Sequence, residues 1–467
     1  MVTLDLSFYL AAAVLFGLMA ESCVKLLKKD SSSVAIAVYV TVFGWYFVDP
    51  FINPEQYDHF PPFILGESYK QVLLFLIGFR MFMPIATRWM LRRPSKGVFD
   101  TGLTPDRILI AVGVIWLLLF AIGIYRMNFD VMAAVFPIDS RGGETMWARG
   151  ALSSSASGFL VASAAYLFNA VTAILGVLIF FQRGYGRVIA GAMFAITLPY
   201  FFLEGARSHF LAAVMPFILT YLLYGRHLLI LRLAILVFAF VCLNEGFKFV
   251  QTFRNTGFRE VFAAEHPYEL LGERTDEDVR TIGLNMIQEL CFVNTYLDSG
   301  DTSPAYGARY LNELLNFVPR VIWPSKPMIG IDYAKWRGFE NSESTEGELG
   351  VYATISTGMI GGGVLNFGQI LGPVAAGILM ALWTGLLIRW WKQRRSLLRF
   401  ALFMLGAGLT FNLGRDISLL VLWPLVFAYF FIRLTEIWAT KQFGKLPQIA
   451  TVAPADAAPV LASRLSQ

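Results

Sequence analysis

The sequence has few cysteines, few histidines and few charged residues. Its 467 residues include three cysteines, which lie far apart without a CxxC pair, and four scattered histidines. These spacings indicate neither a disulfide framework nor a zinc site. Charged residues make up 15% of the chain, against about 25% in an ordinary soluble domain. This excludes a soluble enzyme and a nucleic-acid binder with a basic face. The P-loop and GxSxG motifs, typical of nucleotide-driven transport and serine hydrolases, are also missing.

Apolar and aromatic residues dominate instead. Hydrophobic residues make up 56% of the chain and aromatic residues 15%, which predicts an all-α polytopic membrane protein. About 20 residues cross a bilayer as a helix. On this basis we predict about eleven transmembrane helices, near residues 6–24, 34–50, 69–88, 108–125, 159–181, 188–204, 207–224, 228–244, 368–389, 399–415 and 417–435.

Two further apolar stretches, 284–297 and 351–365, leave the number of helices open. If both cross the membrane, the chain has thirteen spans. We prefer eleven, with both stretches interfacial or re-entrant, because the first is short and contains Glu289.

The distribution of basic residues predicts the orientation. Basic clusters follow odd-numbered spans only, at 25–29, 88–96, 183–187, 226–232, 389–395 and 441–445. The positive-inside rule therefore places the N-terminus outside and the C-terminus inside. Because the segment before the first apolar run is acidic and lysines follow it, we expect this helix to remain uncleaved.

The chain then divides into four parts. Residues 1–244 form a membrane domain of eight helices, and residues 245–367 form one large external loop that is rich in acidic residues. Residues 368–436 supply three more helices, and the Ala- and Pro-rich tail 437–467 is predicted to be cytoplasmic and disordered. Within the loop, helical spacing of apolar residues predicts an amphipathic helix on the membrane surface over 305–318.

Arginines near the ends of spans are candidate ligands for an anion. Arg207 opens a predicted helix after Glu204, where free N–H groups, the helix dipole and a guanidinium would all favour a phosphate. The alternative is a Glu204–Arg207 ion pair that closes the turn. Arg254 and Arg415 are predicted at the same outer boundary, so an anionic group is expected there. Arg80, in the middle of a span, either lines a cavity for an anion or pairs with a carboxylate.

A proline-rich segment at 317–327 is the most distinctive stretch of the loop. Its three prolines forbid a helix and predict a stiff, extended strap. Trp323 is an aromatic residue of the kind that lies at headgroup depth, so Arg320 and Lys326 would be held at the membrane surface. These two cations could bind phosphate. A lipid-headgroup anchor without catalysis is the alternative.

Three motifs together resemble the Wzy-type O-antigen and exopolysaccharide repeat-unit polymerases. They are Pro-Arg-x-x-Trp-Pro-x-Lys-Pro at 319–327, Gly-Ala-Arg-Ser at 205–208, and the glycine-rich segment 361–368 that enters the span after the loop. The resemblance implies a glycosyltransferase embedded in the bacterial inner membrane, with its active site facing the periplasm. Its substrate would be an undecaprenyl-pyrophosphate-linked oligosaccharide. The resemblance further implies that neither a nucleotide sugar nor a metal or other cofactor is needed, and that a chain-length regulator and a flippase are partners.

The expected chemistry needs cations for the departing diphosphate and a base for the acceptor hydroxyl. Our hypothesis is that Arg207, Arg254 and Arg320 bind the pyrophosphate, assisted by Trp323 and Lys326, with Arg80 and Arg415 as further candidates. The base is expected among the carboxylates between the strap and the glycine-rich segment, which are Asp332, Glu343, Glu346 and Glu348.

Three other functions remain open at the level of sequence. An O-antigen ligase would share the architecture and the lipid donor but is expected to depend on a periplasmic histidine and arginine, and His266 is the one histidine in the loop. A flippase or another transporter would require charges along several spans, where Arg80 is the one central charge. A non-catalytic subunit of a polysaccharide-synthesis complex is the third.

Overall fold

The described part of the protein is helical. The computed structural model describes residues 5–92, 103–138, 145–147, 156–204, 206–225, 227–253, 257–265, 284–315, 318, 323, 333, 336, 337, 356–394 and 396–443. Of these residues 83% are helical and none lies in a strand. The α-helices are α1 Leu6–Leu27, α2 Ile36–Tyr46, α3 Val48–Ile52, α4 Pro62–Arg92, α5 Pro105–Arg126, α6 Val131–Val135, α7 Ala156–Leu178, α8 Gly184–Leu203, α9 Arg207–Tyr224, α10 Leu229–Phe253, α11 Phe258–Ala263, α12 Met286–Asp298, α13 Ala308–Leu314, α14 Gly358–Lys392, α15 Leu397–Arg415 and α16 Leu419–Phe443.

These helices confirm an all-α polytopic membrane protein. Ten helices of the described chain are long and apolar enough to cross a membrane. The segment Ser31–Tyr46, a 3-10 turn continued by α2, is a shorter apolar helix at the place of the second predicted span. The eleven predicted positions are therefore all helical.

Two helices cross the domain boundaries that were predicted at 244 and 436. The helix α10 continues to Phe253, past the predicted loop boundary at 244, and its extension carries the ion pair Glu245–Lys248 with 2.8 Å between the charged atoms. The helix α16 continues to Phe443, so the first residues of the predicted tail 437–467 are helical. The predicted ends were set where charged residues interrupt the apolar runs. Charged residues that pair with each other are nevertheless compatible with a helix that continues out of the bilayer. Residues 444–467 lie outside the described part.

The helix ends define two faces of the bundle. At one of them, called here the loop face, α8 ends, α9 begins, α15 ends and α16 begins. At the opposite face, α14 ends and α15 begins after the turn at Arg394.

Close backbone contacts join α4 to α14. A Cβ atom added to Gly377 would lie 2.7 Å from the backbone of Phe75 and Phe79, and one added to Gly78 would lie 3.2 Å from the Cα atom of Val374. Small residues let membrane helices approach in this way, because packing rather than the hydrophobic effect drives their association in lipid. The α4–α14 pair is therefore closely packed, and it supports elements of the loop face.

A sharp break divides α14 into two parts. Gly368 adopts φ +80° and ψ 178° inside the helix, a conformation that favours glycine. The preceding part, residues 358–367, is called here the arm. The arm folds back so closely that a Cβ atom on Gly372 would lie 2.6 Å from the Cα atom of Val364. The glycine-rich segment thus forms a re-entrant half-helix, whereas residues 351–355 lie outside the described part.

The other ambiguous stretch, 284–297, forms the short helix α12. A buried hydrogen-bond network attaches α12 to α4, since the amide of Asn294 accepts from Gln71 at 2.7 Å and donates to Ser68 at 3.0 Å. With 13 residues α12 is not among the candidate spans of the described chain, as the preferred eleven-helix prediction requires. The predicted surface helix at 305–318 is present but shorter, as α13, with Leu311 and Leu314 exposed.

A buried ion pair near the opposite face gives a testable prediction for stability. Arg399 of α15 donates two hydrogen bonds to Glu436 of α16, at 2.7 and 2.6 Å, and both side chains are buried. Removing one partner leaves an uncompensated buried charge, which costs about 3–5 kcal/mol. Glu436 also accepts a hydrogen bond from Arg433 at 2.9 Å, so the change that strands a buried charge is the loss of Glu436, which leaves Arg399 buried. We expect Glu436→Leu to lower the thermal unfolding midpoint in detergent strongly, and Glu436→Leu combined with Arg399→Met to restore most of it. Lys248→Met, which breaks an exposed pair, is the control and should have little effect.

Candidate functional site

The first turn of α9 and the last turn of α15 meet at the loop face. The Asn412 side chain of α15 donates a hydrogen bond to the backbone oxygen of Ser208 at 2.9 Å. Asn169 of α7 donates to the backbone oxygen of His209 at 2.7 Å. Because Arg207 precedes Ser208 and Arg415 lies one helical turn after Asn412, these hydrogen bonds bring two predicted anion ligands to adjoining helix ends.

The turn before α9 does not form the Glu204–Arg207 ion pair that was considered from the sequence. The carboxylate of Glu204 contacts the Nδ1 atom of His209 at 3.2 Å. The guanidinium of Arg207 instead lies over the ring of Phe247, 5.9 Å from its centroid, a geometry in which the aromatic face attracts a cation. The turn therefore presents a histidine, a carboxylate and an arginine within six residues.

Tight packing fixes the end of α15. Trp45 of α2 donates a hydrogen bond to the backbone oxygen of Phe411 at 2.7 Å, and a Cβ atom on Gly414 would collide with Trp45 and Thr41. The side chain of Arg415 is exposed at the loop face. It lies within electrostatic range of both Asp416 and Glu289. This guanidinium donates no hydrogen bond to another residue of the described chain.

Asp416 directly follows the end of α15, in an extended conformation. It is half-buried, and burial raises the pKa of its carboxyl group to about 6, although the positive charge of Arg415 opposes the change. Asp416 is thus close to both protein and solvent, and the space around its carboxyl group is called here the crevice.

Tyr310 of α13 lies within electrostatic range of Asp416. Its hydroxyl oxygen is buried and has no hydrogen-bond partner within the described chain. Burial raises the pKa of the Tyr310 phenol above its ordinary value, and the charges of Asp416 and Glu313 raise it further. The group consisting of Arg207, Arg415, Asp416 and Tyr310 is called here the loop-face cluster.

The arm holds this cluster together. The backbone N–H of Ile360 donates to the hydroxyl of Tyr46 at 3.0 Å, and the N–H of Tyr310 donates to the side chain of Asn366 at 3.3 Å. The N–H of Ala305 donates to the backbone oxygen of Leu365 at 2.9 Å. The re-entrant half-helix thus connects α2 to the segment that carries Tyr310.

The carboxylate of Glu289, which lies within electrostatic range of Arg415, is hydrogen-bonded to two other residues. The hydroxyl of Tyr333 donates to Glu289 at 2.5 Å and Arg337 donates at 3.2 Å, while the Arg337 guanidinium lies 3.5 Å from the ring centroid of Phe292. Glu289 is buried, so this ion pair compensates its charge and attaches part of the large loop to α12.

The structure places the predicted site residues in three groups. Arg207 and Arg415 belong to the loop-face cluster. Arg80 is a correction, because its guanidinium pairs with Glu21 of α1 at 2.9 Å, and Glu21 also contacts Lys25 at 2.6 Å. This is the carboxylate partner considered as the alternative, and the group lies toward the end of α1 away from the cluster. Trp323 is half-buried, and the residues outside the described part are Arg254, Arg320, Lys326, Asp332, Glu343, Glu346 and Glu348.

Sequence reasoning missed Asp416 and Tyr310. Asp416 adjoins an arginine at the end of a span, which is a signal, but ordinary surface aspartates occur in the same position. Tyr310 follows the apolar spacing of α13 and gave no signal, since its environment depends on the distant arm.

The cluster combines two chemical capabilities. Its guanidinium groups can stabilise an anion and its carboxyl group can exchange a proton near neutral pH. In the part of the chain that the structure describes, no three His, Cys, Asp or Glu side chains come together to form a metal site.

Comparisons with known proteins returned no similarity. No family model matches the chain, and neither the curated proteins nor the solved structures contain a match. The geometry of the loop-face cluster and the motifs in the sequence are therefore the features that bear on function.

Proposed function

We propose that this protein polymerises oligosaccharide repeat units that are linked to undecaprenyl pyrophosphate, at the periplasmic face of the bacterial inner membrane. The growing glycan would move from its lipid carrier onto a new lipid-linked repeat. The observation that supports this most directly is the loop-face cluster, in which two arginines at adjoining helix ends lie with a half-buried carboxyl group.

The distribution of charge favours chemistry at one face over passage through the membrane. Arg80 and Glu21 are paired with each other, and Arg399 and Glu436 are buried as a pair near the opposite face. A transporter needs polar groups along its path, whereas the charges available to a ligand in the cluster lie at the loop face. The three motifs of the polymerase resemblance favour the same face.

Transfer from a pyrophosphate donor has two requirements that the cluster can meet. As the bond between the anomeric carbon and the diphosphate oxygen breaks, negative charge develops on the leaving group. Arginine binds such oxygens with a planar, bidentate set of donors. A carboxylate can accept the proton of the attacking hydroxyl. These residues need no bound nucleotide for either step.

A surface-glycan gel tests the proposal. We expect a strain lacking the gene to lose long glycan chains while single repeat units still reach the surface, and restoration of the gene to recover the ladder. An unchanged ladder in the deletion strain would contradict a role in polymerisation.

One observation favours a second candidate, transfer of the glycan to another acceptor by an O-antigen ligase. Such an enzyme is expected to depend on a histidine and an arginine at the outer face, and the first turn of α9 carries Arg207 and His209 together. In that case the deletion strain would accumulate lipid-linked glycan with none attached at the surface. His209→Ala should then abolish attachment, whereas a polymerase need not depend on that residue.

A further inference from the structure

We infer that Asp416 is the general base that accepts the proton of the acceptor sugar hydroxyl, with Arg415 beside it stabilising the departing diphosphate. This inference rests on the proposed function and assigns the reacting groups of its site. It places the base at the end of α15 rather than in the acidic segment of the large loop.

The packing of α15 fixes the position of Asp416. The backbone of α15 is fixed up to its last turn by the hydrogen bond from Trp45 and by the absence of space around Gly414. Asp416 therefore directly follows a rigid element, and Tyr310 and Tyr46 lie within electrostatic range of its carboxyl group. Catalytic groups supported by packed elements keep the geometry that proton transfer requires.

Several polar and charged groups surround the carboxyl group of Asp416. Arg415 faces it from α15, Tyr310 from α13 and Tyr46 from α2, and Glu289 of α12 lies within electrostatic range of Arg415. Burial raises the pKa of Asp416 to about 6, and the charge of Arg415 limits this rise. A base works best when its pKa lies close to the working pH, because it is then both ionised and able to hold a proton.

The groups of the cluster can each take a different role toward the substrate. The phenol of Tyr310, whose hydroxyl lacks a partner in the described chain, can donate a hydrogen bond to a sugar oxygen and thereby orient it. The guanidinium of Arg415 is exposed and can bind diphosphate oxygens. Glu289 already accepts hydrogen bonds from Tyr333 and Arg337. Of the two carboxyl groups within electrostatic range of Arg415, Asp416 is therefore the one that accepts no side-chain hydrogen bond within the described chain.

The reaction balances without a further reactant. Asp416 removes the proton from the acceptor hydroxyl while that oxygen forms a bond to the anomeric carbon of the donor glycan. The bond between the anomeric carbon and the diphosphate oxygen breaks, and its electron pair remains on the diphosphate. The products are the extended glycan on its lipid carrier, the released undecaprenyl diphosphate and a proton that Asp416 returns to water.

The test measures chain extension as a function of pH. Full-length protein in liposomes is supplied with lipid-linked repeat units purified from the deletion strain. For the native protein we expect the rate to rise as pH rises through about 6 and then level off, because the carboxylate is the active form. Loss of a general base typically costs 10²–10⁴-fold, so we expect Asp416→Asn to extend chains at least about 100-fold more slowly. Its remaining rate should show no inflection near pH 6.

Two further variants separate a catalytic role from a structural one. Asp416→Glu keeps a carboxylate, and we expect it to retain measurable extension and a pH inflection. Asp301→Asn, at an exposed position in the large loop, should behave like the native protein. Equal unfolding midpoints for Asp416→Asn and the native protein would show that the loss is not due to unfolding.

The outcomes distinguish this inference from the proposed function. If the native protein extends chains and Asp416→Asn does so at the same rate, the base assignment is wrong and the polymerase proposal stands. Loss of activity in Glu346→Gln or Glu348→Gln, but not in Asp416→Asn, would place the base in the loop and also overturn the assignment. If the native protein extends no chains at any pH, both are wrong.

Discussion

Arg415→Ala is expected to reduce glycan extension by about 10²–10³-fold, the range found when one preorganised group that stabilises developing charge is removed. The guanidinium of Arg415 lies at the rigid end of α15, is exposed, and donates no hydrogen bond within the described chain. A substrate diphosphate would therefore use donors that the fold does not need. Arg415→Lys should recover part of the rate, because it retains the charge but loses the bidentate geometry.

The control is Arg394→Ala, which removes an exposed arginine at the opposite face. It should leave extension near the native rate. Arg207→Ala should resemble Arg415→Ala, and the double variant should be little worse than either, because groups that act together on one ligand are not additive. Equal rates for Arg415→Ala and Arg394→Ala, at equal protein levels in the membrane, would remove Arg415 from the site.

Gly372→Val is expected to prevent the arm from folding back and to remove most correctly folded protein. A Cβ atom at Gly372 would lie 2.6 Å from the Cα atom of Val364, and one at Gly363 would lie 2.9 Å from the carbonyl carbon of Gly372. Both contacts are with backbone, which cannot rotate away as a side chain can. Overpacking of this kind typically costs 1–3 kcal/mol, and the cost here should lie at the top of that range or above it.

Gly191→Val is the matched control, since a Cβ atom at this helical position meets nothing within 4 Å. The measurement is the fraction of monodisperse protein after detergent extraction, together with the thermal unfolding midpoint. Gly363→Ala should be intermediate. If Gly372→Val is as stable as Gly191→Val, the close approach of the arm to the second part of α14 is wrong.

The membrane spans were predictable because each one coincides with a local run of apolar residues. All eleven predicted positions are helical, and Arg207 and Arg415 lie at the same face, as their positions at span ends indicated. Length and hydropathy are properties of one segment, so they need no knowledge of the tertiary structure.

The crevice was not predictable, because it is made by contacts between distant segments. The sequence drew attention to the glycines at 361–368, but it did not reveal that Gly363 meets Gly372 or that the arm holds Tyr310 near Asp416. Arg80 shows the same limit. A lone charge in a span looks functional until its partner, Glu21, is seen on a neighbouring helix.

The length of α4 also determines how far the loop-face elements stand from the middle of the bilayer. Its 31 residues extend about 46 Å at a rise of 1.5 Å per residue, whereas the hydrocarbon layer is about 30 Å thick. The polar residues Glu67, Ser68, Lys70 and Gln71 occupy the end nearest α12, and Arg88 and Arg92 occupy the other end, so both ends can extend beyond the hydrocarbon. With α4 centred in the bilayer, α12 and the arm, which lie at the end of α4 that carries Gln71, would be at the edge of the hydrocarbon. A phosphate joined to a polyprenyl chain would reach that level without its lipid tail leaving the membrane.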